Sequence, residues 1–216
     1  MGTFVYSILK CFIFVITCNM SRKFQQIYVQ KIHVVKERAP NKILWGKIIF
    51  FCSCVVSVII LYYFSIYSTH FFLKDFLIGF FCGIAVFFIN YSFSNLKSVL
   101  KSEETISNNS ISSFSALDSL YSSLLVKICL IILLASLEEY IFRSFILSFL
   151  NVHFSLVTSI ILSAIIFYVI HINSKAFELI FMGAVFAVLT LHTDNMLPAI
   201  IAHSSNNLFV YFMRKK

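Results

Sequence analysis

Charged side chains are scarce in this 216-residue chain. They make up 12% of its residues, whereas hydrophobic side chains make up 60%. A typical soluble domain carries about 25% charged residues, so the composition excludes an ordinary soluble domain and indicates an integral membrane protein. Because a spanning helix needs about 20 residues, the chain has room for roughly six to eight spans, about seven being the best estimate. We predict an all-α, polytopic transmembrane helical bundle.

Cysteine patterns typical of disulfide frameworks, redox motifs or metal clusters are also missing. The six cysteines lie in or beside apolar stretches, and Cys52 and Cys54 are the single close pair. Small buried side chains are the better interpretation. The chain also lacks the internal repeats that mark many transporters built from inverted halves.

The formal net charge of +8 does not indicate a nucleic-acid partner. The basic residues lie mainly in one connection and at the C-terminus, next to apolar runs, and no soluble module is present to offer a basic face. The lipid bilayer accounts for them better, because cytoplasmic loops of membrane proteins are rich in Lys and Arg. We therefore expect a cell-membrane protein with the segment 22–42 and the C-terminus in the cytoplasm.

The apolar runs predict the helices. They are Thr3–Cys18, Ile43–Tyr67, Phe76–Phe93, Leu124–Leu150, Phe154–Ile172, Ala176–Leu191 and Leu197–Met213. The first run is short and contains Lys10, so it is either a weak span or an interfacial helix. A cleaved signal peptide is disfavoured there because the positive charges follow the apolar part.

Two connections organise the predicted helices. The polar segment Ser94–Ser123 divides residues 1–123, with N-terminal spans and cytoplasmic connections, from a four-helix membrane core at 124–216. Alternate counting places Lys175 in the cytoplasm and the turns 151–153 and 192–195 outside. Gly79 and Gly83 lie four residues apart, which suits either a close helix-packing seam or chance.

Three ionisable residues, Glu138, Glu139 and Arg143, interrupt the apolar run that begins near Leu124. Each costs roughly 2.5 to 3.5 kcal/mol to insert at a helix centre, so such residues indicate function by default. Residues four apart share a helix face, so Glu139 can pair with Arg143 while Glu138 points about 100° away. Glu138 is the freer carboxylate and a candidate general base. An ion-pair network that merely locks helices together is the alternative.

Two more polar sets lie on later helices, each with a spacing of one turn. Phe167 and His171 form one set, and His203 and Asn207 form the other. Taken singly, His171 is more typical of a core histidine whose hydrogen bonds are satisfied within the protein. The pair His203 and Asn207, taken singly, is also explained by hydrogen bonding between helices. A helix over 176–191 rises about 24 Å, which brings the two imidazoles to within roughly 7 Å in depth. Together with Glu138, they would meet at one level of the bilayer.

The motifs Glu138-Glu139-x-x-x-Arg143, Phe167-x-x-x-His171 and His203-x-x-x-Asn207, in this order, resemble those of the CPBP family. These are the CAAX-processing and bacteriocin-processing intramembrane proteases, also called the Abi family. The similarity extends over roughly 124–212 and includes the stretch from Thr193 to His203. It implies a helical membrane bundle that cleaves peptide bonds, with residues 124–216 as the catalytic core.

By position, the resemblance gives each residue a role. Glu138 would activate water with help from His171, His203 and Asn207 would stabilise the oxyanion, and Glu139 with Arg143 would support the geometry. Glu138, His171 and His203 could instead hold a divalent metal such as Zn²⁺, as in a metalloprotease; the metal-free reaction is favoured slightly. The small size and composition favour the bacterial members of the family, which act in peptide export, pheromone maturation or bacteriocin self-immunity.

Two other classes of function stay open at this stage. One is a non-catalytic bacteriocin-immunity or scaffold membrane protein in which the polar cluster is a relic. The other is a proton-coupled transporter that uses Glu138 and His171 as a relay, although the missing repeats count against it. The partners expected for the leading hypothesis are the lipid bilayer and a small peptide or membrane-associated protein substrate.

Overall fold

The regular secondary structure of this protein is helical throughout the part that the structure describes. The structure, a computed structural model, describes residues 48, 51–52, 54–59, 62–63, 69–100, 123–171 and 177–213. Its elements are α1 (Leu73–Leu100), α2 (Leu124–Glu139), a π-helix named π1 (Tyr140–Leu147), α3 (Ser148–His153), α4 (Leu156–Ile170), α5 (Glu178–Thr193) and α6 (Leu197–Met213). The predicted all-α class and helical bundle are confirmed.

The predicted helix bounds agree best for α6, which matches the apolar run 197–213. Two other predictions were wrong. Helix α1 continues to Leu100, into the connection that was expected to begin at Ser94. The residues 151–153, expected to form an external turn, belong to α3. In both cases polar residues continue a helix past its apolar run, because a helix satisfies its own backbone and Ser, Asn or Lys lowers its stability only modestly.

One described helical segment, Leu73–Phe93 of α1, is long and apolar enough to cross a membrane. The segments Leu156–Ile170 and Glu178–Thr193 are shorter apolar helices. Several topology predictions lie outside the described residues, namely those for 3–18, for 22–42, for Lys175 and for the last three residues of the chain. Of the predicted helix 43–67, residues 48, 51–52, 54–59 and 62–63 are described, all of them helical.

The turn between α5 and α6 is built around Asn195. Helix α5 ends at Thr193, and its C-cap residue Asp194 has a φ of 48° in the left-handed region. The Asn195 side chain then accepts a hydrogen bond from the Leu197 backbone at 3.1 Å, which satisfies a donor of the first turn of α6. Pro198 follows in that turn, where a missing N–H costs nothing. This turn fixes where α6 starts, and therefore the height of His203.

Small residues allow the closest helix contacts. A Cβ added to Gly79 would lie 2.5 Å from the Pro198 carbonyl oxygen, and one added to Gly83 would lie 2.6 Å from that of Ala202. The two glycines thus form the seam between α1 and α6, which confirms the packing interpretation of their spacing. Gly183 of α5 lies against α4 in a similar way, since an added Cβ would lie 3.0 Å from the Ala164 Cα.

Buried apolar side chains fill the spaces beside these seams. Val86 of α1, Phe186 of α5 and Ala202 of α6 belong to one cluster. Ile141 and Phe142 of π1 pack with Phe167 of α4 in another. These clusters hold α4, α5 and α6 around the end of α2, where the carboxylates lie.

We expect Gly83→Ala to destabilise the bundle by roughly 1 to 3 kcal/mol, because the new methyl group would overlap backbone atoms of α6 that cannot move independently. Ala85→Leu is the matched control, since Ala85 is exposed on the same helix. Thermal unfolding of the purified protein in detergent measures both changes. Equal melting temperatures for Gly83→Ala and the parent protein would contradict the close seam.

Candidate active site

The two adjacent glutamates lie where the helix geometry changes. Glu138 and Glu139 are the last residues of α2, and π1 begins at Tyr140. π-helical turns are rare and occur frequently at functional sites. Arg143 lies within π1, and its backbone oxygen accepts a hydrogen bond from the Ser148 hydroxyl at 3.3 Å. The sequence pattern predicted one uninterrupted α-helix here and gave no indication of π1.

Glu139 is the buried centre of the site. Its Oε2 accepts a hydrogen bond from Arg143 Nε at 3.0 Å, and its Oε1 lies 2.7 Å from His203 Nδ1. The side chains of Glu139 and Arg143 are fully buried, and that of His203 is nearly so. The pairing of Glu139 with Arg143 was expected from their spacing. The contact with His203, 64 positions away in the chain, was not.

Glu138 faces the two imidazoles from the adjacent position. Its Oε2 lies 3.7 Å from His171 Nε2 and 3.7 Å from His203 Nε2. The side chain of Glu138 is 35% exposed and that of His171 is 26% exposed, in contrast to the buried Glu139. The structure therefore brings together the three residues that the depth argument placed at one level, and two of them are partly exposed.

Each imidazole is oriented through its other nitrogen. His171 Nδ1 lies 2.8 Å from the Phe167 carbonyl oxygen, and His203 Nδ1 lies 2.7 Å from the Glu139 carboxylate. Both partners are acceptors, so both Nδ1 atoms donate. The Nε2 atoms are consequently the nitrogens that face Glu138, and a neutral ring offers a lone pair there.

Aromatic rings hold the imidazoles in place. The Phe167 ring centroid lies 4.7 Å from that of His171 with an interplanar angle of 38°, so these one-turn neighbours are in contact along one face, but their rings are tilted where stacking was predicted. Phe186 stacks on His203 at 5.2 Å with an interplanar angle of 24°. Phe142 packs edge-on against Phe167 at 4.8 Å. Sequence reasoning missed Phe186 and Phe142, since an apolar aromatic residue in an apolar helix does not stand out.

Asn207 lies one turn beyond His203 and is partly buried. Its Oδ1 accepts a hydrogen bond from Asn206 Nδ2 at 3.3 Å, and Asn206 Oδ1 accepts one from Asn90 Nδ2 at 3.5 Å. In this arrangement the Asn207 amide group keeps its Nδ2 donor for another acceptor. The chain of amides reaches α1, although α1 carries none of the three motifs.

Within the described ranges, no group of three or more His, Cys, Asp or Glu side chains is arranged to hold a metal ion. The candidates Glu138, His171 and His203 approach one another, but their spacing does not form such a group.

Glu139→Gln should lower the free energy of unfolding by roughly 3 to 5 kcal/mol, because Arg143 would keep a buried charge without its counter-ion. Glu138→Gln, one position earlier and partly exposed, should change stability little. Chemical or thermal unfolding of both variants in detergent makes the comparison. Equal losses in the two variants would contradict the distinction between a buried and an open carboxylate.

Part of this chain is similar to a known protein family. Residues 120–209 match a family model described as type II CAAX prenyl endopeptidase, Rce1-like. Comparison with curated proteins and with solved structures gives no match. The matched segment contains all six predicted site residues, and the Rce1-like family is a family of membrane-embedded proteases. The stretch 120–209 is thus Rce1-like, which confirms the resemblance of this chain to the CPBP family of membrane proteases.

Proposed function

We propose that this protein is an intramembrane endopeptidase that cleaves a small membrane-associated peptide or protein. The observation that carries the proposal is the meeting of Glu138 with His171 and His203, whose Nε2 atoms both lie 3.7 Å from one carboxylate oxygen. A carboxylate in a partly buried site can take a proton from water when its geometry is fixed. The match to a CAAX endopeptidase model supports the reaction class.

In the proposed reaction, Glu138 takes a proton from a water molecule, and the oxygen of that water attacks the scissile carbonyl carbon. His171 Nε2 accepts a hydrogen bond from the same water and orients it. The carbonyl oxygen becomes an oxyanion. The C–N bond then breaks, and the amine leaving group takes the proton from the Glu138 carboxyl group, which restores the carboxylate.

His203 and Asn207 are the proposed oxyanion donors. Asn207 would donate through Nδ2, since its Oδ1 is engaged by Asn206. His203 Nε2 must carry a proton to donate, so its role needs the doubly protonated ring, whose charge the Glu139 carboxylate faces at 2.7 Å. Donors fixed at the site of developing charge typically contribute about 10²- to 10³-fold in rate.

The wider setting follows from the sequence. We propose a multi-pass cell-membrane protein with about seven spans, whose segment 22–42 and C-terminus are cytoplasmic. Residues 1–123 would supply the N-terminal spans and connections, and residues 124–216 the catalytic core. The composition favours a bacterial member of the family, and the resemblance implies a role in peptide or pheromone maturation, bacteriocin processing or self-immunity.

A non-catalytic immunity or scaffold protein is the alternative. It predicts that protection against a bacteriocin does not depend on the Glu138 carboxylate. The protease hypothesis predicts that function is lost when this carboxylate is removed. The contrast makes Glu138 the residue to change, because its partly exposed side chain is less involved in the packed core than Glu139 or His203.

Glu138→Gln should reduce peptide cleavage by about 10²- to 10⁴-fold, the usual contribution of a positioned general base. His171→Gln should also reduce it, while His153→Gln, at the exposed end of α3, should not. The assay uses proteoliposomes with a prenylated CAAX peptide and an unprenylated apolar peptide as probes. Cleavage at the parent rate by Glu138→Gln would remove the proposal, and protection without cleavage would favour the immunity alternative.

The divalent-metal alternative has its own test. When bound, a metal such as Zn²⁺ would lower the pKa of a bound water and polarise the carbonyl. We expect the purified protein to contain less than one equivalent of Zn²⁺ by elemental analysis and to keep its cleavage rate after treatment with a chelator. Loss of activity in chelator, restored by Zn²⁺, would establish the metalloprotease instead.

A further inference from the structure

The guanidinium of Arg143 is held from two sides. Its Nε donates to Glu139 at 3.0 Å, and its Nη1 donates to the Ser163 hydroxyl of α4 at 3.1 Å. Its Nη2 is buried and has no hydrogen-bond partner among the described residues. The guanidinium carbon also lies 5.6 Å from the centroid of the Phe167 ring. Ser163 therefore supplies one of two hydrogen bonds that fix a fully buried cation.

Ser163 lies on the same face of α4 as Phe167 and His171. Ser163, Phe167 and His171 follow one another at intervals of four along α4, so they lie on one face of the helix. The same face thus orients both imidazoles. It carries His171 itself, and it reaches His203 through a chain of contacts that runs from Ser163 to Arg143 and Glu139.

We propose that Ser163 is a positioning residue of the active site, which sets the position of His203 through Arg143 and Glu139. None of the three motifs includes it. The inference rests on the proposed function for its catalytic consequence, but the structural chain from Ser163 to His203 stands without it.

Removal of the Ser163 hydroxyl would leave two of the three guanidinium nitrogens buried without an acceptor. Buried donors without a partner are costly, so the guanidinium would turn toward other acceptors. Glu139 Oε2 would then lose its fixed donor, and Oε1 its fixed orientation toward His203. The His203 Nε2 atom would no longer be held at its present distance from Glu138.

Ser159 offers a matched control one turn earlier on α4. Both serines are fully buried, but the Ser159 hydroxyl donates to the Ser155 carbonyl within its own helix, at 2.9 Å. Ser163→Ala and Ser159→Ala thus remove the same atom from the same helix. A general effect on α4 would appear in both variants, whereas a positioning effect would appear in Ser163→Ala alone.

The first measurement is cleavage of the prenylated CAAX peptide in proteoliposomes. We expect Ser163→Ala to lower kcat by about 10-fold or more, because a small misplacement of a catalytic group can cost up to about 10²-fold in rate, with KM nearly unchanged. Ser159→Ala should keep both parameters. The proposal would be overturned if Ser163→Ala kept the kcat of the parent protein, or if kcat fell equally in both variants.

The second measurement does not depend on activity. It uses NMR spectroscopy of protein labelled with ¹⁵N-histidine, in which the His203→Gln variant identifies the His203 ring signals. These signals should shift in Ser163→Ala and stay in place in Ser159→Ala. Unchanged His203 signals would overturn the proposal even if kcat fell. If no probe peptide is cleaved by the parent protein, the proposed function fails, while these signals still decide the role of Ser163.

Ser163→Cys covers the case in which the alanine variant does not fold. Its thiol preserves the packing volume and accepts hydrogen bonds only weakly. We expect the His203 signals of Ser163→Cys to shift in the same direction as predicted for alanine. Signals identical to those of the parent protein would count against the proposal.

Discussion

The site depends on the buried carboxylate of Glu139, which is hydrogen-bonded to both Arg143 and His203. Removing a charge from water costs several kcal/mol unless partners and hydrogen bonds compensate for it. Arg143 supplies the counter-ion from the following turn, His203 supplies a donor from α6, and Ser163 of α4 completes the hold on Arg143. A stable Glu139 therefore requires α2, π1, α4 and α6 to meet.

The neighbouring carboxylate has a different environment because it points to a different side of the helix. Glu139 is fully buried, whereas Glu138 is 35% exposed and faces two imidazole nitrogens. The buried group is held between Arg143 and His203, whereas the other group is partly exposed. One dipeptide thus supplies both the support of the site and its proposed base, and the change to π-helical geometry follows immediately after it.

The surrounding packing makes this convergence possible. Inside a bilayer, apolar surface gains little from leaving lipid, so close approach through small residues contributes more to helix association. Gly79 and Gly83 bring α1 against α6, and Gly183 brings α5 against α4. Although α1 lies before the Rce1-like segment, it supports the helix that carries His203 and reaches the Asn206–Asn207 pair through Asn90.

The sequence by itself determined the features that depend on neighbours within one helix. The all-α class follows from the apolar runs, and the limits of α6 follow from the run 197–213. The Glu139–Arg143 pair and the Phe167–His171 contact follow from a spacing of four residues. The depth of each residue along its helix was also sufficient to predict that Glu138, His171 and His203 would lie at one level. These conclusions need only the fixed rise and turn of a helix.

Only the tertiary structure decided which atoms meet between helices. The hydrogen bond between His203 and Glu139, the stacking of Phe186 on His203 and the hydrogen bond from Arg143 to Ser163 depend on how each helix is rotated about its axis. That rotation is set by close packing at a few small residues, and local spacing carries no information about it. The hydrophobic pattern also gave no indication of π1, and it ended α1 too early because polar residues can continue a helix past its apolar run.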